Sequence, residues 1–143
     1  MTGTLSQKLI PRLLGRFGTH VRIHDGKQPV AIFPAAHADV GELKIYDDDV
    51  ELMVDVGNLT HGHFSPRNYE VPQAEREEEL IERVIAFLEA AFDDQIEFWR
   101  SDIAGGWHAR GTGEPLGPNP RRYTWSGPLS AASPNRAIGT TKA

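Results

Sequence analysis

The sequence predicts an α+β domain, with a single, mostly antiparallel sheet of about five or six strands and one long helix packed on one face. Apolar and polar residues alternate in several short segments, which is typical of strands with one dry face. One long segment carries apolar residues at helical spacing instead. The 143 residues suit one domain, and no stretch approaches the ~20 apolar residues that span a bilayer.

The N-terminal segment predicts a short helix followed by strands. Thr4 and Gln7 have the spacing of a capping box, and apolar residues follow at helical spacing, with basic residues on the other face. Pro11 would kink this helix or mark its first turn. Alternation predicts strands at residues 21–24, 30–33, 43–46 and 50–56. Turns are expected at Asp25 with Gly26 and at residues 47–49.

The second half predicts the long helix, two more strands and a tail. Pro72 precedes the helix, which we expect from about Gln73 to Phe92, with acidic residues in its first turns where the helix dipole favours them. Further strands are expected at residues 95–100 and 107–110. Residues 1–110 are therefore predicted to form the domain. Residues 111–143, with five prolines and five glycines, are predicted to be an extended, irregular tail in which only residues 121–125 look able to dock.

Charge and cysteine content narrow the classes of function. Residues 28–94 contain sixteen acidic and four basic side chains, whereas both flanking segments are basic. An acidic body disfavours nucleic acid as a partner and suits either plain solvation or a basic protein partner. The chain has no cysteine and no apolar secretion signal, so we expect a cytoplasmic protein without a membrane partner.

The segment GNLTHGHFSP, at residues 57–66, contains the candidate metal ligands His61 and His63. Two histidines at i, i+2 on a strand point the same way and could hold zinc or another divalent metal. A third ligand would have to come from His20, His24, Asp25, His37 or Asp39. If the preceding strand continued without a break, however, both histidines would lie on its wet face with Glu51, Met53 and Asp55. Exposed histidines beside a Gly-Pro turn are the simpler interpretation.

No complete catalytic constellation is present: the chain lacks a Gly-x-Ser-x-Gly elbow and a phosphate-binding loop. We therefore predict no catalytic residue. Asp48, Glu51 and Trp99 are candidate binding residues, because the first two belong to the acidic middle and Trp99 is expected to face outward beside Arg100. Alternatively, the N-terminal helix or the tail covers Trp99.

Two stretches of the sequence carry a resemblance. Residues 50–54 leading into 60–64 form one, and the helix end at residues 87–94 followed by 96–99 and 105–107 forms the other. Together, within residues 43–107, they resemble small bacterial proteins of unassigned function, some of which are similar to immunity proteins that neutralise a toxin by binding it. The resemblance implies a protein partner and no catalytic residues.

Two hypotheses follow. The first is a non-enzymatic protein-binding domain, immunity-like or regulatory, with an acidic surface. The second is a metal-binding enzyme or sensor that uses the His61 and His63 pair, with zinc or another divalent metal as cofactor. A homodimer formed through the sheet edge is left open.

Overall fold

Two antiparallel sheets, rather than one, frame the core of the protein. The structure is a computed structural model that describes residues 4–24 and 28–129. The helices are α1 (Thr4–Phe17) and α2 (Gln73–Phe92). The first sheet has five strands in chain order: β1 (Arg22–Ile23), β2 (Ala31–Phe33), β3 (Leu43–Asp47), β4 (Leu52–Val56) and β5 (Thr60–Phe64). The second sheet has the spatial order β7-β6-β8-β9, with β6 (Ile96–Arg100), β7 (Gly105–Ala109), β8 (Arg121–Thr124) and β9 (Gly127–Pro128).

Helix α2 has the bounds that its apolar stripe predicts. Pro72 stands at its N-cap and Asp93 at its C-cap, and the stripe is buried. The stripe packs in one core cluster with the inward residues of β3 and β4 and with one face of α1. Because β3 and β4 bury every second residue, they behave as the alternation predicts. The α+β class is therefore confirmed.

The single sheet and the irregular tail need correction. Strand β8 pairs with β6 in the register Trp99 to Arg122, and β9 pairs with β8. Residues 121–128 thus complete the second sheet: the segment 121–125, the one part of the tail expected to be able to dock, does lie on the domain, and the expectation of an irregular segment is wrong for the strands β8 and β9. Periodicity identified neither the partner of β6 nor these short strands, because pairing between distant segments leaves no local pattern. Residues 130–143 lie outside the described part of the chain.

The two sheets meet where β5 lies beside β7. The indole of Trp107 covers the backbone of β5 at Gly62, where an added Cβ would lie 2.8 Å from Cζ2 of that ring. Arg100, in β6, donates a 3.0 Å hydrogen bond to the carbonyl of Leu59, in the turn between β4 and β5. This contact region, called the seam below, joins the two sheets through one aromatic ring and one guanidinium.

The basic N-terminal segment and the acidic middle of the sequence neutralise each other across the helix pair. Three ion pairs join α1 to α2: Lys8 with Glu77, Arg12 with Glu78, and Arg16 with Glu89. Part of the basic charge of the N-terminal segment and part of the acidic charge of the middle are therefore paired with each other in the folded protein. The acidic residues of the turns and loops remain as candidates for external contacts.

Glu77 is the buried member of these pairs and makes a testable contribution. Burial raises the pKa of its carboxyl, but hydrogen bonds from Lys8, Thr4 and Gln73 outweigh burial and hold the pKa below its ordinary value. A lowered pKa means that this stabilisation is complete above the unfolded-state pKa of about 4.3 and is lost as the pH falls through the lower folded-state pKa.

Replacing Glu77 by glutamine should therefore lower the free energy of unfolding at neutral pH by about 1 kcal/mol, since Lys8 is partly exposed. In urea titrations, the difference from the wild type should shrink below about pH 4. Glu78→Gln is the matched control, because both members of its pair are exposed, and it should change little. A Glu77→Gln difference that stays constant with pH would contradict this assignment.

Candidate functional site

The segment GNLTHGHFSP forms a turn and then a strand. Gly57 to Leu59 connect β4 to β5, and both histidines lie in β5. In the antiparallel register, Asp55 lies opposite His61 and Met53 opposite His63. Both imidazoles are exposed on the polar face of the first sheet, as the alternation predicts. The segment therefore forms the turn and second strand of a hairpin, with both histidines exposed on its outer face.

His63 contacts the acidic turn before β4. Its Nδ1 lies 2.7 Å from Oε2 of Glu51, and the hydroxyl of Ser65 donates a 2.8 Å hydrogen bond to Oε1 of the same carboxylate. These two partners, Ser65 first and His63 second, hold the pKa of Glu51 below its usual range. The carboxylate is therefore ionised at neutral pH and fixed in orientation by two residues of the neighbouring strand and its end.

Asp48 completes a cluster with Glu51 and His63. One ligand atom from each of the three residues lies within 4.8 Å of the others. Within residues 4–24 and 28–129, this is the one such group of metal-ligating side chains, and it does not include His61. In this group His63 lies with two carboxylates and not with His61, its partner in the alternative metal hypothesis. His20, His24, His37 and Asp39 do not join it, and Asp25 lies outside the described residues.

His61 faces a different place, a polar cleft of about 340 Å³ at the seam. Asp55, Arg100, Arg121 and Tyr123 also line this cleft. Burial raises the pKa of Asp55, while Lys44 and His61 oppose that shift. The ring centroids of the two histidines are only 5.7 Å apart, yet His63 contacts Glu51 and His61 lines the polar cleft.

Hydrogen bonds from α1 and within the turn itself hold the turn between β3 and β4. The carboxylate of Asp47 is buried and accepts hydrogen bonds from the backbone N–H and the hydroxyl of Ser6, at 3.1 and 2.6 Å. Its other oxygen accepts from the N–H of Asp49, which adopts a φ of 72°. Asp48 N–H donates to the carbonyl of Glu51 and closes the turn. These bonds support the predicted turn at residues 47–49 and hold the next residues in one arrangement.

Two exposed apolar side chains lie beside this turn. Val50 is 63% exposed and Tyr69 is 62% exposed, and both line a cleft of about 180 Å³ that Asp49 also lines. The guanidinium of Arg76 lies over the Tyr69 ring, 5.8 Å from its centroid. We call Asp48, Asp49, Val50, Glu51 and Tyr69 the hairpin-end surface. Sequence reasoning missed Val50 and Tyr69; the one available signal for Tyr69 was an aromatic residue in an otherwise polar loop.

Trp99 does not have the exposed position expected of it. The residue is only 6% exposed, and its ring lies against Gly106, where an added Cβ would approach the indole to 2.9 Å. Trp99 lies in β6, which has β7 on one side and β8 on the other. Part of the segment expected as a tail therefore lies alongside it, and Trp99 is not an exposed anchor.

Comparison with protein-family models, with curated proteins and with solved structures finds no match to the chain. Neither α1 nor α2, the helices of the described residues, is long and apolar enough to cross a membrane.

Proposed function

We propose that the chain is a non-enzymatic protein-binding domain, immunity-like or regulatory, that presents its hairpin-end surface to a basic protein partner in the cytoplasm. One observation carries the proposal: Val50 and Tyr69, two exposed apolar side chains, line one cleft with Asp49, and Asp48 and Glu51 flank Asp49 and Val50 in the same turn. An exposed aromatic with an apolar neighbour and a charged rim is the usual composition of an interface centre.

The rigidity of this surface also supports the proposal. Because Asp47 ties the turn to α1 and Glu51 is held by Ser65 and His63, little conformational entropy remains to be lost when a partner binds. The carboxylates would attract lysine or arginine side chains and speed the encounter. The basic residues of α1 form ion pairs with Glu77, Glu78 and Glu89 of α2. None of these ion pairs involves the carboxylates of the turn between β3 and β4.

The experiment that tests the proposal compares capture of a partner from native-host extract by the wild type and by Tyr69→Ala. Loss of the ring should weaken binding at least tenfold, about 1.4 kcal/mol, if Tyr69 is a central contact. Leu116→Ala, at a site with 66% exposure outside the hairpin-end surface, is the matched control and should bind normally. Equal capture by both variants would contradict the proposal.

A divalent-metal site is the second candidate function, favoured by the close approach of Asp48, Glu51 and His63. Two carboxylates and an imidazole suit zinc or a similar ion, with a further position open for water or substrate. A bound ion would replace the present hydrogen bond between His63 and Glu51.

Metal content separates the two candidates. Under the second, tag-free protein dialysed against zinc should retain one equivalent by mass spectrometry, His63→Ala should lose it, and His61→Ala should keep it. Protein that remains empty would exclude the metal candidate and leave protein binding as the proposal.

A further inference from the structure

A cleft of about 720 Å³ lies at the C-terminal end of α2, on other residues than those of the hairpin-end surface. Its volume is in the range of small-molecule sites. The side chains that give it chemical character are four aromatic rings and two carboxylates: Phe17, Phe33, Phe92, Trp125, Glu89 and Asp93. We call it the aromatic cleft.

The four rings support one another. The centroid of Phe33 lies 5.3 Å from that of Phe17 and 4.9 Å from that of Phe92, and Trp125 lies 5.2 Å from Phe92. The rings of Phe17 and Phe33 meet edge to face and the other two pairs are tilted, so packing among the rings holds this wall of the cleft. Phe33 and Trp125 are buried, at 2% and 8% exposure, so the partly buried rings of Phe17 and Phe92 form the aromatic surface that the cleft offers to a ligand.

The charge around the aromatic cleft is mostly negative. Glu89 and Asp93 line it, and the last turn of α2 contains no basic residue to offset the negative end of the helix dipole. Arg16 pairs with Glu89 and neutralises part of that charge, and His20 is a further titratable lining residue. Asp93 is exposed at the C-cap and is left as the main source of negative charge at the rim.

We propose that the aromatic cleft binds an organic cation, an ammonium group attached to an aryl or alkyl body. Aromatic faces attract cations through their quadrupole, and the attraction grows as the site excludes water. The ammonium group would lie against the ring of Phe92 beside Asp93, while the apolar body would replace water along the rest of the cleft. An anion would meet the carboxylates and the helix end and would be disfavoured.

The test uses benzyltrimethylammonium, benzyl alcohol and phenylacetate as cationic, neutral and anionic aryl probes. Binding is followed by the indole N–H signals of the full chain in NMR spectra. Trp125 should shift on titration, whereas Trp99 and Trp107, which lie outside the aromatic cleft, serve as internal references. The cation should bind at least about fivefold more tightly than benzyl alcohol, and phenylacetate most weakly.

Asp93→Asn should weaken binding of benzyltrimethylammonium about threefold or more. Asp102→Asn is the matched control, because it removes the same charge from an exposed position that lies outside both the aromatic cleft and the hairpin-end surface. Equal binding of benzyl alcohol would show a plain apolar cleft and overturn the proposal. Preference for phenylacetate, or no shift of Trp125 up to about 10 mM probe, would overturn it as well.

Discussion

A chain that carries Asp48→Lys and Glu51→Lys together should lose its partner while keeping its fold. Both carboxylates belong to the hairpin-end surface, and reversing them would place like charges against a basic partner, which costs several kcal/mol. We expect binding to weaken at least about thirtyfold, or 2 kcal/mol. The fold should survive, because neither residue belongs to the core cluster and the pair of Glu51 with His63 is solvent-exposed.

The control for this double variant is Glu82→Lys with Glu114→Lys. Both residues are exposed and lie outside the hairpin-end surface, so the net charge changes by the same amount in a different place. The control should bind almost as well as the wild type at 0.15 M salt, where distant charges are screened beyond about 8 Å. If the two double variants lost binding equally, net charge alone would explain the effect, and the surface assignment would be wrong.

Replacing Gly62 by alanine should lower the free energy of unfolding by about 1–3 kcal/mol. An added Cβ would lie 2.8 Å from Cζ2 of Trp107, and this ring is held between Phe64, Phe87 and Phe98. The indole therefore has little room to move. Without the clash, alanine would be favoured, because glycine in a strand costs about 0.5–1 kcal/mol.

Gly15→Ala is the matched control for this prediction. Gly15 lies within α1 with no heavy atom within 4 Å of an added Cβ, so the same change should stabilise the protein by about 0.5–1 kcal/mol. Trp107→Phe should relieve part of the Gly62→Ala penalty in the double variant, as measured by a double-mutant cycle in urea. Parallel shifts of the Gly62 and Gly15 variants in the stabilising direction would mean that the seam is not tightly packed.

The fold was predictable wherever local periodicity decided the outcome. Helix α2 and strand β4 emerged from the sequence because each buries one face, and burial imposes its period on the residues. Strand β5 is not predicted by alternation, because its centre is His-Gly-His and its apolar signal is weak. Its glycine is explained only by the indole that arrives from β7, more than forty residues later.

The sequence identified individual residues of the candidate site but not that they lie together. Alternation placed Glu51 and His63 on one face, and the acidic turn identified Asp48, yet these residues were assigned to separate hypotheses. The hairpin register brings them together, and register depends on the turn geometry and on burial across both strands. Trp99 is buried, which agrees with the alternative interpretation of the sequence and not with an outward position, because alternation specifies a face but not whether other segments cover it.

Site-specific photocrosslinking in the native host is the most direct test of the hairpin-end surface as a protein-binding site. Tyr69 would be replaced by p-benzoylphenylalanine in one chain, and Ile103, 76% exposed outside the hairpin-end surface, in another. We predict one protein adduct from position 69 that the Asp48→Lys/Glu51→Lys variant loses and that position 103 does not give. Identical adducts from both positions, an adduct with a second copy of the chain alone, or no adduct at position 69 would contradict the proposed function.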